Sequence, residues 1–222
     1  MKRIVFALII IIFLLTGGGV LAHQPRIVSQ DLVEVQNPEV SQAFYGELQG
    51  QPAFFRIASP EPFVLYLNLL VPDLVAIDKD VSARVYFQGE EIFFLDGLGA
   101  DWAYFFEEFA GDSYYQGPEV REEVEKGEYE VEVFSPDNQG KYVLAVGEKE
   151  EFPLGETVNT LLLLPKLKAS FFDKSPLTAY FNLVGLFLLV PVLIVLAVSL
   201  IAFFLIRKIK RKRTNKEKEE LE

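Results

Sequence analysis

Apolar and polar residues alternate with a period of two through much of the stretch between 31 and 146. The run 127–134 is the clearest. Tyr129, Val131 and Val133 fall on one face and Glu128, Glu130 and Glu132 on the other, as a half-buried strand requires. Pro136, Asp137, Asn138, Gln139 and Gly140 are turn chemistry, and alternation resumes over 141–146 with Tyr142, Leu144 and Val146 inward. These two runs are expected to pair as an antiparallel hairpin. Further strands are predicted at 31–35, 42–48, 53–58, 63–71, 81–87 and 90–95. Short strands separated by Gly, Pro, Asp and Asn clusters, with no long helical pattern among them, predict an all-β fold, an antiparallel β-sandwich over 23–152.

At both ends the alternation gives way to unbroken apolar runs. Lys2 and Arg3 precede apolar residues 4–15, whose helical length of about 18 Å is short of a hydrocarbon core of roughly 30 Å. Val20-Leu21-Ala22 then offers a small-residue cleavage site, so 1–22 is expected to be a signal peptide cut before His23. An uncleaved anchor extended through Ala22 is the alternative. Residues 183–206 carry no charge and extend about 36 Å as a helix, enough to cross with some tilt. With Tyr180 at headgroup level, 180–206 is predicted to be one transmembrane helix. Arg207, Lys208, Lys210, Arg211, Lys212 and Arg213 follow at once and are expected to lie on anionic inner-leaflet lipids. Basic residues resist translocation, which predicts a single-pass plasma-membrane protein with its amino-terminal domain outside and 207–222 cytoplasmic. The end of that tail, 215–222, is too short and charged to fold alone.

Charge narrows the partners. Setting aside the 2 basic residues at the amino terminus and the 8 basic and 4 acidic residues of 207–222, the region 23–182 holds 11 basic and 28 acidic residues. That sign argues against nucleic acid as a partner. There is no cysteine, hence no disulfide framework and no thiol nucleophile, and a region of this length buries a sufficient core without one. The one histidine, His23, has no second imidazole or thiolate to complete a copper site or a Ser-His-Asp system. The expectation is a protein that is not an enzyme.

The segment Gly127-Glu128-Tyr129-Glu130-Val131-Glu132-Val133-Phe134, the polar turn, and Gly140-Lys141-Tyr142-Val143-Leu144-Ala145-Val146 resemble the last hairpin of bacterial pre-peptidase C-terminal domains. The shared pattern is a Gly-x-Tyr strand, a turn and a Tyr-x-Leu strand over about 20 residues. The resemblance implies a jelly-roll-like sandwich, a non-catalytic role, and in some members calcium.

Seven aromatics crowd 101–115, with carboxylates between them. Trp102, Tyr104, Tyr114, Tyr115, Glu107 and Glu108 make this stretch the candidate ligand or partner face. The competing expectation, which is preferred, is a long loop whose rings cap the open end of the sandwich. Asp96, Asp101 and Asp112 are candidate calcium ligands in predicted loops, without any motif of fixed spacing. Glu107, Glu108 and Asp112 are the material for a carboxylate-pair hydrolase, with nothing fixing their separation. Residues 153–179 form a juxtamembrane amphipathic segment broken by Pro165. It is expected either to rest on the bilayer, with Lys166, Lys168 and Lys174 at headgroup level, or to pack on the sandwich. The sequence thus points to a membrane-anchored extracytoplasmic binding or accessory module with no cofactor, its partners the bilayer and an unidentified membrane or envelope protein. A cation-binding sensor or carrier is the alternative, and an envelope hydrolase the third.

Overall fold

The computed structural model describes residues 23–29, 32–151 and 153–219, the stretch beyond 211 by backbone alone. The expected signal peptide, 1–22, lies outside the described residues. The chain divides into two compact units, one running to Asn182 and the other holding the helix that begins at Leu183.

The first unit is built from β1 (Gln24–Ile27), β2 (Leu32–Val35), β3 (Gln42–Gln49), β4 (Ala53–Ser59), β5 (Phe63–Pro72), β6 (Ser82–Phe87), β7 (Glu90–Leu95), β8 (Ala103–Glu107), β9 (Asp112–Val124), β10 (Gly127–Phe134) and β11 (Gln139–Val146). They form a six-stranded sheet in the order β1-β3-β11-β5-β9-β8 and a five-stranded sheet in the order β2-β4-β10-β6-β7. The inner faces meet in one core. Phe44, Leu65, Leu67, Leu69, Tyr142 and Leu144 of the first sheet pack against Phe55, Ile57, Val85, Tyr129, Val131 and Val133 of the second. Most pairings are antiparallel; β1 with β3 and β2 with β4 run parallel.

The expected hairpin of the last two strands is not formed. β10 lies between β4 and β6, and β11 lies between β3 and β5 in the opposite sheet. Period-two alternation identifies which face of a strand is buried but not which neighbour it pairs with, and here the two inner faces meet across the core instead of edge to edge. The turn between them supports this crossing. Asn138 adopts a positive φ of 52°, its N–H donates to Ser135 O at 3.1 Å, and its own carbonyl accepts from Gly50 N at 2.7 Å. Among the described residues only β6–β7 and β8–β9 are joined as hairpins between successive strands; every other connection changes sheets.

Helix α1 (Leu154–Ser170) lies on the outer face of the six-stranded sheet. Leu167, Phe171 and Phe172 pack there with Ala43, Leu70, Tyr114, Val143 and Ala145 in a second apolar cluster. Burial on both faces explains why β5 and β11 read as nearly continuous apolar runs. Pro165 does not break α1. It removes the N–H that would have bonded the Leu161 carbonyl, and the Tyr180 hydroxyl donates to that carbonyl instead, at 3.4 Å. A 3₁₀ turn (Pro176–Tyr180) closes the unit.

The second unit holds α2 (Leu183–Glu219), whose segment Leu183–Arg211 is long and apolar enough to cross a membrane. The helix continues through the basic cluster and into 215–219, a run expected from its composition to stay unfolded. Extending an existing helix requires no new nucleus, and Lys, Arg and Glu are good helix formers.

Candidate functional site

The aromatic stretch is a β-hairpin, not a loop. Tyr104 lies opposite Tyr115, Phe105 opposite Tyr114, and Glu107 opposite Asp112. Both faces of β8 are apolar, so the sequence shows no alternation there. β8 is the edge of its sheet and is exposed along most of its length, with Tyr104 at 60%, Phe106 at 49% and Phe105 at 38%.

One face of the hairpin turns toward the sandwich interior. Tyr115 packs on the core, the Lys79 ammonium sits 4.1 Å above its ring, and Tyr104 meets it edge-on at 6.2 Å. The Tyr104 hydroxyl lies 2.9 Å from Ser113 Oγ. Trp102, just before β8, behaves as a cap. Its Nε1–H donates to Gly97 O at 2.8 Å and its ring packs on the core. The ring covers Gly117 so closely that a Cβ there would stand 2.6 Å from it. The candidate residues therefore divide: Trp102, Tyr114 and Tyr115 serve packing, while Tyr104 stays open to solvent with Phe105 and Phe106, two rings that the sequence alone did not single out. Glu108 is exposed in the hairpin turn.

The opposite face of the hairpin lies beneath α1 and holds a charge cluster. Asp112 is 2% exposed, and its Oδ2 accepts from the Lys168 ammonium at 2.7 Å, with Lys168 only 1% exposed. Lys174 Nζ reaches the other oxygen, Oδ1, at 2.9 Å. Lys168 donates also to Ala110 O at 2.6 Å, which accepts from the Asn182 amide as well. Lys168 is thus inside the domain, on the same helical stripe as Leu164 and Leu167, a placement that its spacing from them in the sequence could have suggested. The Glu107 carboxylate accepts from the N–H groups of Phe109 at 2.7 Å and Ala110 at 2.8 Å. Burial holds its carboxyl above the usual range against the pull of those two donors. Tyr45 and Tyr114 join their hydroxyls at 3.0 Å, and burial pushes both phenols up.

Between α1, the hairpin and the sheet lies a cavity of about 60 Å³, lined by Tyr45, Glu107, Tyr114, Thr160 and Leu164, with His23 at its margin. Thr160 Oγ1 is buried without a hydrogen-bond partner. The volume admits a few waters at most.

The three aspartates proposed for calcium are not brought together. Asp96 accepts from the N–H groups of Leu98 and Gly99 in its own turn, Asp101 is exposed before β8, and both oxygens of Asp112 face ammonium groups. Among the described residues no group of three or more carboxylates or imidazoles is placed to hold a metal. As for the carboxylate-pair reading, Glu107 and Asp112 are both engaged and Glu108 lies apart from them in the turn. Arg207, Lys208, Lys210 and Arg211 are exposed on α2, and the side chains of Lys212 and Arg213 lie outside the described residues.

No family model and no curated protein matches the chain. Among solved structures it is similar to the pre-peptidase C-terminal domain of a collagenase from Bacillus anthracis, at 12% identity and a TM-score of 0.35, over 53% of this chain and 95% of that one. It is also similar to a β-glucosidase from Paenibacillus barengoltzii, at 11% identity and a TM-score of 0.26, over 55% of this chain and 13% of that one.

Proposed function

We propose that this chain is a single-pass, membrane-anchored extracytoplasmic module that captures a membrane or envelope protein and has no catalytic role of its own. The observation that carries the reading is the open edge of the six-stranded sheet. β8 presents Tyr104, Phe105 and Phe106 to solvent, and its outer backbone groups have no strand beside them among the described residues. Natural proteins blunt exposed edges with charge, Pro or cover, and an uncovered aromatic edge on a soluble unit is a surface for adding a partner's strand or apolar segment.

The span and topology in this proposal rest on the apolar length of α2 and the basic cluster that follows it. The jelly-roll form of the sandwich rests on the many sheet-changing connections. The strongly acidic balance of 23–182 favours a basic partner surface over an anionic one.

The test is capture from mild detergent after in-membrane crosslinking, comparing the full chain with a Tyr104→Ser/Phe106→Ser variant and with Trp102→Ala. The edge variant is expected to keep its melting temperature and lose the captured protein, as exposed anchors do. Trp102→Ala is expected to lower stability by about 3 kcal/mol, as loss of a packed ring does. Undiminished capture by the edge variant would sink the reading.

A further inference from the structure

Among the described residues of the first unit, the most deeply buried charges are an ammonium and a carboxylate in direct contact. Lys168 and Asp112 are 1% and 2% exposed, with Nζ 2.7 Å from Oδ2. Their surroundings are aromatic: Nζ stands 5.8 Å from the centre of the Phe172 ring, and Tyr114 and Phe171 are buried in the same cluster. Burial takes both groups out of water and leaves the Lys168 nitrogen within hydrogen-bond distance of the Asp112 carboxyl. That is a nucleophile held against its electrophile without translational freedom to lose.

Two neighbours complete the chemistry. Lys174 holds the other oxygen, Oδ1, at 2.9 Å, and at 39% exposure its ammonium is open to solvent. It is therefore a poor nucleophile but a good stabiliser of negative charge developing on that oxygen. Glu107 is the cross-strand partner of Asp112, its side chain on the same face, within the field of both Asp112 and Lys168.

We infer that Lys168 and Asp112 become joined by an intramolecular isopeptide bond, with Lys174 holding the oxyanion and Glu107 carrying the proton. Lys168 gives one proton to Oδ2, and its lone pair attacks Cγ. The electron pair displaced onto Oδ1 rests against the Lys174 ammonium. Glu107 takes the surplus proton from the nitrogen of the new bond and returns it to the Oδ2 hydroxyl, which departs as water as the Oδ1 carbonyl re-forms. One C–N bond forms, one C–O bond breaks, one water leaves, and Glu107 ends as it began. Nothing is oxidised or reduced. The product removes two buried charges whose mutual attraction alone repays their desolvation poorly. In a chain without cysteine it ties α1 to the β8–β9 hairpin covalently.

The full chain, purified from membranes and digested with two proteases, tests this by mass spectrometry. The expected product is a branched species joining the peptides that carry positions 112 and 168, lighter than their sum by one water. It should be absent from Lys168→Arg and lost from Glu107→Gln. Only linear peptides from the unaltered chain would overturn the bond, and that outcome can be read without any variant having to fold. Attachment at Lys174 would overturn the choice of nucleophile, and a branched species persisting in Glu107→Gln would overturn the role of Glu107.

Discussion

Tyr142 sits wholly inside the core with its hydroxyl unpaired. Its ring fills the space left by Gly46, where a Cβ would strike it, and meets Phe55 edge-on at 6.5 Å. Burial pushes the phenol far above its ordinary range. An orphaned buried hydroxyl costs about 1–3 kcal/mol of desolvation, so removing it should not destabilise. Tyr142→Phe is expected to leave the unfolding free energy unchanged or raise it by about 1 kcal/mol, read by urea melts. A fall of comparable size would mean that the hydroxyl has a partner, an internal water for instance. The inward direction of Tyr142 was legible from alternation with Lys141 and Val143. Its missing partner was not, because that depends on which strand stands across the core. Lys168 and Asp112 are harder still: 56 residues separate them, and no local pattern couples a helix stripe to a hairpin turn.

Helix α1 has apolar residues on two sides. Thr160, Leu164 and Leu167 face the sheet, while Leu154, Val158 and Leu162, four residues apart, stand 85%, 55% and 74% exposed. Leu177 and Phe181 add to this open apolar surface. A helix apolar on two sides requires a second cover, and the segment 153–182 sets Lys166, Lys168 and Lys174 against only Glu156 and Asp173, where 23–182 as a whole is strongly acidic. Lipid is the expected cover. Since the chain lacks cysteine, Leu162→Cys gives a unique site for a polarity-sensitive dye. In nanodiscs the dye should emit blue-shifted light and be quenched by lipid-borne quenchers, while a Leu98→Cys label should not. Water-like emission from a chain still held in the disc would refute this contact; release of the chain from the disc would refute the span. The two alternatives for this segment, sandwich or bilayer, were legible because its apolar residues exceed one stripe. The hairpin β8–β9 was missed for a related reason: with two apolar faces it has no period to read. β1 escaped because it is four residues long and contains Pro25.

At the scale of the molecule, the last two strands occupy the middle of both sheets. β11 separates β3 from β5, and β10 separates β4 from β6, so neither sheet is continuous until these two strands are in place. With so few hairpins, nearly all pairing is between distant residues, a topology that folds slowly and without stable fragments. A chain ending at Lys126 is expected to lack any cooperative melt and to be cut rapidly by protease, whereas one ending at Asn182 should resist. A protected core in the shorter chain would refute this view. Sheet order was the least legible property of the sequence, since alternation marks faces and is silent on neighbours; the two central strands, one in each sheet, looked like one hairpin for that reason.

The tie between α1 and the β8–β9 hairpin has a mechanical meaning. A load applied between β8 and the chain beyond Asn182 enters at the hairpin, where Ala110 and Asp112 are held by Lys168, Lys174 and Asn182. It leaves within a few residues, along the end of α1 and the turn that follows. The force path stays within the β8–β9 hairpin and bypasses the other strands of both sheets. A partner pulling on the aromatic edge would therefore load the chain beyond Asn182 directly and leave the sandwich folded.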